Sequence, residues 1–314
     1  MKKLKLLLFA YLMSLPLFSY AEKGMVIFSD PYLTKEFPSE GIKVLDIRSA
    51  GSSITVSSWE EDKVHVEIFA LRNGKEVNLN DPDIQEKLKD YQVEVDQSGE
   101  KVLVSIQSKN KSNWNMGKNN ISFSIQAQVP KEMSTIFNSS GGSISLKGVE
   151  GNHDIHSSGG SIKIMECEGS LTARSSGGSF SINEFQGTLV LGTSGGSVKV
   201  EYFSGSLSLN SSGGSVSLNE VSGKIVANTS GGSVKANVVN LEEELTLKAS
   251  GGSITVTLPE DQGMDLDIKG GSVSSQLSNF EGVKTNDQIK GKILGGGIPV
   301  TLSTSGGSVK IEKR

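Results

Sequence analysis

Between residues 139 and 248 apolar and polar positions alternate in short runs, and the alternation restarts every 18 residues. In Ser179-Phe180-Ser181-Ile182-Asn183 every second side chain is apolar, the period of a strand with one buried face. Thr188-Leu189-Val190-Leu191-Gly192 reads as a second strand, and Asn183-Glu184-Phe185-Gln186-Gly187 as a corner with Phe185 turned in. Aligned at the 18-residue step, the inward positions become columns of like residues. One column is Ile144, Ile162, Phe180, Val198, Val216 and Val234; another, two residues on, is Leu146, Ile164, Ile182, Val200, Leu218 and Ala236. The corner column is read as Val149, Cys167, Phe185, Phe203, Val221 and Val239.

Each repeat opens with Ser-Ser-Gly-Gly-Ser or Thr-Ser-Gly-Gly-Ser, and the glycine pair recurs without a slip from Gly141-Gly142 to Gly231-Gly232. Looser copies follow at Gly251-Gly252, Gly270-Gly271 and Gly306-Gly307. A fixed short period is the mark of a stacked architecture, because one such unit cannot bury its apolar face without neighbours. The fold predicted is all-β: a parallel β-solenoid with about 18 residues per coil and an irregular β-rich N-terminal part. The glycine pair is expected to supply a positive φ in the turn, and the flanking serines to form ladders about 4.8 Å apart. A left-handed hexapeptide helix also has 18-residue coils but needs an apolar residue at every sixth position. Here the twelfth position is polar in every copy, from Glu150 and Glu168 to Asn240, which disfavours that fold.

Residues 1–21 carry Lys2, Lys3 and Lys5, an apolar run over 6–13 and small residues ending at Ala21, the succession of a signal peptide cleaved before Glu22. Residues 22–137 lack the 18-residue step but hold alternating segments at 43–47, 53–56, 63–68, 91–95, 102–106 and 121–125. A short helix is expected from Pro82 with Asp81 as its cap, and a polar loop over 109–120. Because Ser49-Ala50-Gly51-Ser52-Ser53-Ile54 resembles a degenerate repeat, 22–137 reads as the beginning and cap of the solenoid. Residues 138–314 are the solenoid proper, its last coils irregular and closing with two strands over 298–311.

Composition narrows the functional classes. A formal net charge of −4 on 314 residues gives no reason to expect nucleic acid as partner, and no window after the leader is apolar enough to span a membrane. The single cysteine excludes an intrachain disulfide; Cys167 falls in an inward column and reads as a small buried hydrophobe. His153-Asp154-Ile155-His156 is the one cluster with metal-ligand chemistry, yet His153 shares the inward column of Leu171 and Leu189 and reads as a core histidine. Glu242-Glu243-Glu244 reads as a solvated face, and the Ser-Ser-Gly-Gly turns lack the aspartates of calcium-binding glycine-rich repeats. No cofactor is called for. One outward column alternates: Ser145, Lys163, Ser181, Lys199, Ser217, Lys235. Lys163, Lys199 and Lys235 are therefore the candidate binding face, spaced by two coils and matched to an anionic polymer such as an envelope polysaccharide.

An export signal, a Gly-Ser-Ser-Ile-Thr-Val strand followed by Trp59 and Val64-His65-Val66, a Val129-Pro130-Lys131 step and reiterated Ser-Gly-Gly-Ser strands together resemble the bacterial putative-adhesin family of β-strand-repeat proteins. The resemblance implies a cell-envelope protein located in the periplasm, at the surface or outside the cell, and brings no catalytic residue. The expected role is non-enzymatic: adhesin-like binding of a surface polysaccharide or protein, or a scaffold. The alternatives are a polysaccharide-acting β-helix enzyme, which needs clustered carboxylates or a catalytic base, and an ice-binding solenoid, whose hydroxyl array the lysines would interrupt.

Overall fold

The structure is a computed structural model and describes residues 30–109 and 120–314. The signal peptide, and most of the polar loop expected over 109–120, lie outside the described residues. The chain is a β-solenoid whose regular coils contain the 14-residue strands Ile162–Ser175, Phe180–Thr193, Val198–Ser211 and Val216–Thr229. Each pairs in parallel with the next at an offset of 18 residues, as in Ile162 with Phe180 and Phe180 with Val198. Both inward columns of the sequence are buried along their whole length.

Every long strand bends once, so that one coil has two arms. At the bend a non-glycine residue takes a left-handed backbone: Glu166, Glu184, Tyr202 and Glu220 have φ of 54–56°. Three residues on, Gly169, Gly187, Gly205 and Gly223 also have positive φ, and between the two the corner side chain (Cys167, Phe185, Phe203, Val221) points into the core. The glycine pair, by contrast, is not where positive φ is concentrated. Of its second glycines only Gly142 and Gly160 have it among the regular coils; Gly178, Gly196, Gly214 and Gly232 do not. Their constraint is proximity: a Cβ at Gly178 would overlap the carbonyl oxygen of Gly160, and one at Gly196 that of Gly178. Coils stacked at main-chain hydrogen-bonding distance leave no room for a side chain there.

A buried hydroxyl closes each turn. Gly178 N–H donates to Ser175 Oγ at 2.8 Å, and Gly196 N–H to Thr193 Oγ1 at 3.2 Å. Thr193 and Thr229 then donate to the glycine carbonyls of the preceding coils, Gly178 and Gly214, each at 3.2 Å. The serine ladders thus run chiefly from hydroxyl to backbone, which satisfies polar groups that would otherwise be costly to bury.

The coil after Val234 is two residues longer; a register shift between Gly223 and Ile225 absorbs the excess, and a separate irregularity lies at Val221. Val238, not Val239, therefore enters the corner column opposite Val221; Val238 is fully buried and Val239 is 37 % exposed. The bulge corrects the assignment made by counting eighteens.

Spatial order departs from chain order at both ends. Strands Val44–Ser49 and Ser53–Trp59 lie between Ser134–Ser139 and Ile144–Lys147 on one side and Lys101–Ser108 and Ile121–Pro130 on the other. The degenerate repeat is thus a true rung, with Ile54 beside Ile144 and Ser49 beside Ser139. Antiparallel strands Tyr91–Ser98, Lys63–Arg72 and Leu33–Pro38 cover that end, and helix Pro82–Leu88, capped by Asp81, packs there through Ile84 and Leu88. At the other end Ile298–Thr304 and Ser308–Lys313 do not close the stack. They fit between Val234–Ala249 with Ile254–Leu258 and the outer pair Met264–Lys269 with Ser272–Ser275. The chain runs one rung too far, turns through the hairpin Phe280–Lys284 and Gln288–Ile293, and returns to fill the gap. Both ends finish in antiparallel pairs, which spares the exposed parallel edge a solenoid would otherwise offer.

Candidate functional site

The last outward residue before each turn and the first residue of the turn together line a groove of about 1140 Å³. Parallel pairing brings Arg48, Asn138, His156 and Arg174 into one column. The same column continues through Gly192, Asn210, Asn228 and Lys248. At about 4.8 Å per rung the eight positions span roughly 34 Å. The opposite wall is the exposed serine row of the turns, including Ser140, Ser176, Ser212 and Ser250, held in register by main-chain bonds such as Ser212 N–H to Thr193 O at 3.0 Å. Gly192 gives the floor a notch, since no side chain rises from it.

Its electrostatics are one-sided. Among the described residues no carboxylate lines the groove, although the chain holds 35 Asp and Glu. Asp46 and Asp154 sit two residues before Arg48 and His156 on the same strands and pair with them instead: Arg48 contacts Asp46 at 2.7 and 3.1 Å, and His156 Nδ1 lies 3.3 Å from Asp154. The Asp46 carboxylate holds the Arg48 guanidinium all the more firmly protonated. Arg174 and Lys248 are exposed and form no ion pair among the described residues. Asn228 donates to Asn210 at 3.1 Å, a stacked amide pair midway along.

Lys163, Lys199 and Lys235 lie on the outer side of the other arm, alternating with Ser145, Ser181 and Ser217 as the sequence indicates. The structure adds a fourth lysine: Lys235 stacks on Thr255 and Thr255 on Lys310. Counting eighteens could not find Lys310, because its strand is inserted out of chain order. Two of the four are ion-paired, Lys199 with Glu201 at 2.7 Å and Lys310 with Glu312 at 2.6 Å. The groove has no repeated residue type to mark it in the sequence, because the column beside the turns is chemically varied.

His153 and His156 do not converge. His153 is 3 % exposed, with Nδ1 3.0 Å from Thr135 Oγ1, while Nε2 is buried without a hydrogen-bond partner. Thr135 Oγ1 can donate to Nδ1 or accept from it, so this contact serves either tautomer of the neutral ring. Burial pushes its pKa down from 6.5 to about 4. Between these values the unfolded chain binds the proton and the folded chain does not, so stability is complete above pH 6.5 and falls as pH drops toward 4. The loss should reach roughly 3 kcal/mol. Denaturant unfolding of the parent and of Thr135→Val/His153→Leu at pH 7 and pH 4 checks this, the double variant losing less stability on acidification. Cys167 is likewise buried, which raises its thiol pKa and makes the reactive thiolate scarce. Glu243 and Glu244 reach Lys224 at 3.1 and 3.3 Å. Among the described residues no group of three or more His, Cys, Asp or Glu could hold a metal ion, and no helix is long and apolar enough to cross a membrane.

Fold and groove together define a β-solenoid that presents a long, open groove with no carboxylate in its lining among the described residues. The chain belongs to the Toastrack DUF4097 family, whose model matches residues 42–312. Three solved structures are similar in outline. A "putative cell adhesion protein" from Clostridium sporogenes is 15 % identical, with 91 % of this chain and 100 % of that chain covered and a TM-score of 0.26. A "putative adhesin" from Bacteroides fragilis is 17 % identical over 90 % and 96 % of the two chains, TM-score 0.39. A "putative lipid binding protein" from Parabacteroides distasonis is 15 % identical over 88 % and 96 %, TM-score 0.43. No curated protein matches the chain.

Proposed function

We propose that the protein is an exported, non-enzymatic component of the cell envelope that binds an extended partner along the outside of its coils, in an adhesin-like or scaffold role. The observation that carries this reading is the groove: eight rungs long, open to solvent and, among the described residues, lined without a carboxylate. Hydrolysis of a glycan would call for two carboxyl groups facing one bond, and a cleft lined by Arg, Asn, His and Ser can bind such a chain but has no acid and base pair to cut it. Export rests on the basic, apolar and small-residue succession of residues 1–21. The lysine row through Lys163, Lys199 and Lys235 lies on the other arm, outside the groove, and Lys199 is already paired with Glu201.

The test is sedimentation of the purified mature chain with isolated bacterial envelopes. The protein should pellet with them and release no reducing ends from their polysaccharides. Protein left in the supernatant, or steady release of reducing ends, would contradict the reading.

A further inference from the structure

We propose that the ligand of the groove is an acidic polysaccharide, a chain of uronate-type sugars laid across the coils so that its carboxylates meet Arg174 and Lys248 and its hydroxyls meet the asparagines and serines. This rests on the extended-partner reading above and names the chemistry of that partner.

Three properties of the groove point to this class. The first is charge: Arg174 and Lys248, neither ion-paired among the described residues, lie in one column with no lining carboxylate among those residues, in a chain of formal net charge −4; Arg48 in the same column is already held by Asp46. Elsewhere on the outer surface several cations are held by carboxylates, as in Lys199 with Glu201 and Lys224 with Glu243 and Glu244. Cations without a facing carboxylate give a local positive potential that attracts anions even in a chain of net negative charge. The second is the kind of donor. Guanidinium forks match carboxylates in two-point contacts, and amides and hydroxyls match vicinal sugar hydroxyls. The third is what the lining lacks. Among the described residues the lining contains no aromatic residue, and its apolar side chains are confined to Ala50 and Ile106 at one end. Binding of single-stranded nucleic acid uses aromatic platforms for the bases, and a protein partner needs an aromatic or aliphatic anchor at the centre of its interface. Neither is present along the groove. Strand addition is also closed off, because the arms on either side are paired with their neighbouring coils.

Period fits as well as chemistry. A rung repeats at about 4.8 Å, close to the advance of one sugar in an extended chain, so successive sugars can meet successive rungs. Arg174 and Lys248 stand four rungs apart, with Gly192, Asn210 and Asn228 between them. The charges therefore anchor two points of the polymer, and the polar middle, with its glycine notch, accepts the bulk of the rings.

The experiment compares polygalacturonate with its fully methyl-esterified form, which keeps shape and hydroxyls but loses the charge, and with dextran. Affinity electrophoresis of the mature protein should show retardation by polygalacturonate alone, and salt near 1 M, where charges are screened beyond about 3 Å, should abolish it. Arg174→Gln/Lys248→Gln should weaken binding at least tenfold without a change in Tm, because both side chains are exposed. Lys163→Gln/Lys199→Gln/Lys235→Gln should leave it within about twofold. Equal retardation by the esterified polymer, binding that survives the groove variant, or no retardation by polygalacturonate overturns the inference. If envelope sedimentation persists in any of these cases, the extended-partner reading stands without its acidic ligand; a single-stranded oligonucleotide bound more tightly than polygalacturonate would assign the groove to another polymer.

Discussion

Gly196→Ala should destabilise the protein by about 3 kcal/mol or more, whereas Gly195→Ala, one residue away, should change stability by less than about 1 kcal/mol. The two glycines look equivalent in every repeat. In the stack they are not. A methyl group at Gly195 meets its nearest neighbours, Gly177 Cα and the Ser176 carbonyl oxygen, at 3.7 Å, which is ordinary contact. At Gly196 it would be driven into the carbonyl of Gly178, and that carbonyl also accepts the buried Thr193 hydroxyl. Relief requires the two coils to separate at the turn, breaking Thr193 Oγ1 to Gly178 O and straining Ser194 N–H to Ser175 O. Thermal melts of the two variants check the contrast, with a fall in Tm of roughly 6 °C or more for Gly196→Ala at about 2 °C per kcal/mol. Equal melts would mean the coils are not packed this closely at the turn.

Much of this fold can be read from residues, and the reason is translational. When Ile144, Ile162, Phe180 and Val198 must occupy one column, the period fixes which neighbours touch, so the parallel register and the buried faces follow from alignment alone. Helix Pro82–Leu88 was equally legible, since Asp81 accepts from the Asp83 N–H at 2.9 Å as a capping residue should. What counting could not supply is where translation fails. Val238 replaces Val239 because a bulge moves the register, and Lys310 joins the lysine row because a strand returns into a gap left earlier in the chain. The role of the glycine pair was misplaced for a different reason: a period reports that a small residue is required, but not whether φ or a neighbouring carbonyl requires it. The groove escaped because its column is chemically mixed, Arg174 beside Gly192 beside Asn210, and a search for like residues in a row passes over it.

Deleting residues 193–210 should leave a folded protein one rung shorter, while deleting only 193–201 should unfold most of the solenoid. The longer deletion joins Gly192 to Ser211, and since Gly192 already stands opposite Asn210 and Thr193 opposite Ser211, every column closes on its own kind. The shorter one removes a single arm. Tyr202 then falls where the Thr193 hydroxyl closes the turn, Ser212 takes the corner place of Phe203, and Glu220 arrives where Ser211 is buried. Corner and turn are exchanged in every later coil, which leaves Phe185 against a serine and a carboxylate in the buried hydroxyl column. The central claim is that a register-locked stack builds one continuous outer groove, and the most direct measurement is thermal unfolding of these two deletion variants beside the parent. A cooperative melt within about 10 °C of the parent for the 18-residue deletion, with none for the nine-residue deletion, is the predicted result. Loss of the melt in both, or its survival in both, would contradict the stack and the groove with it.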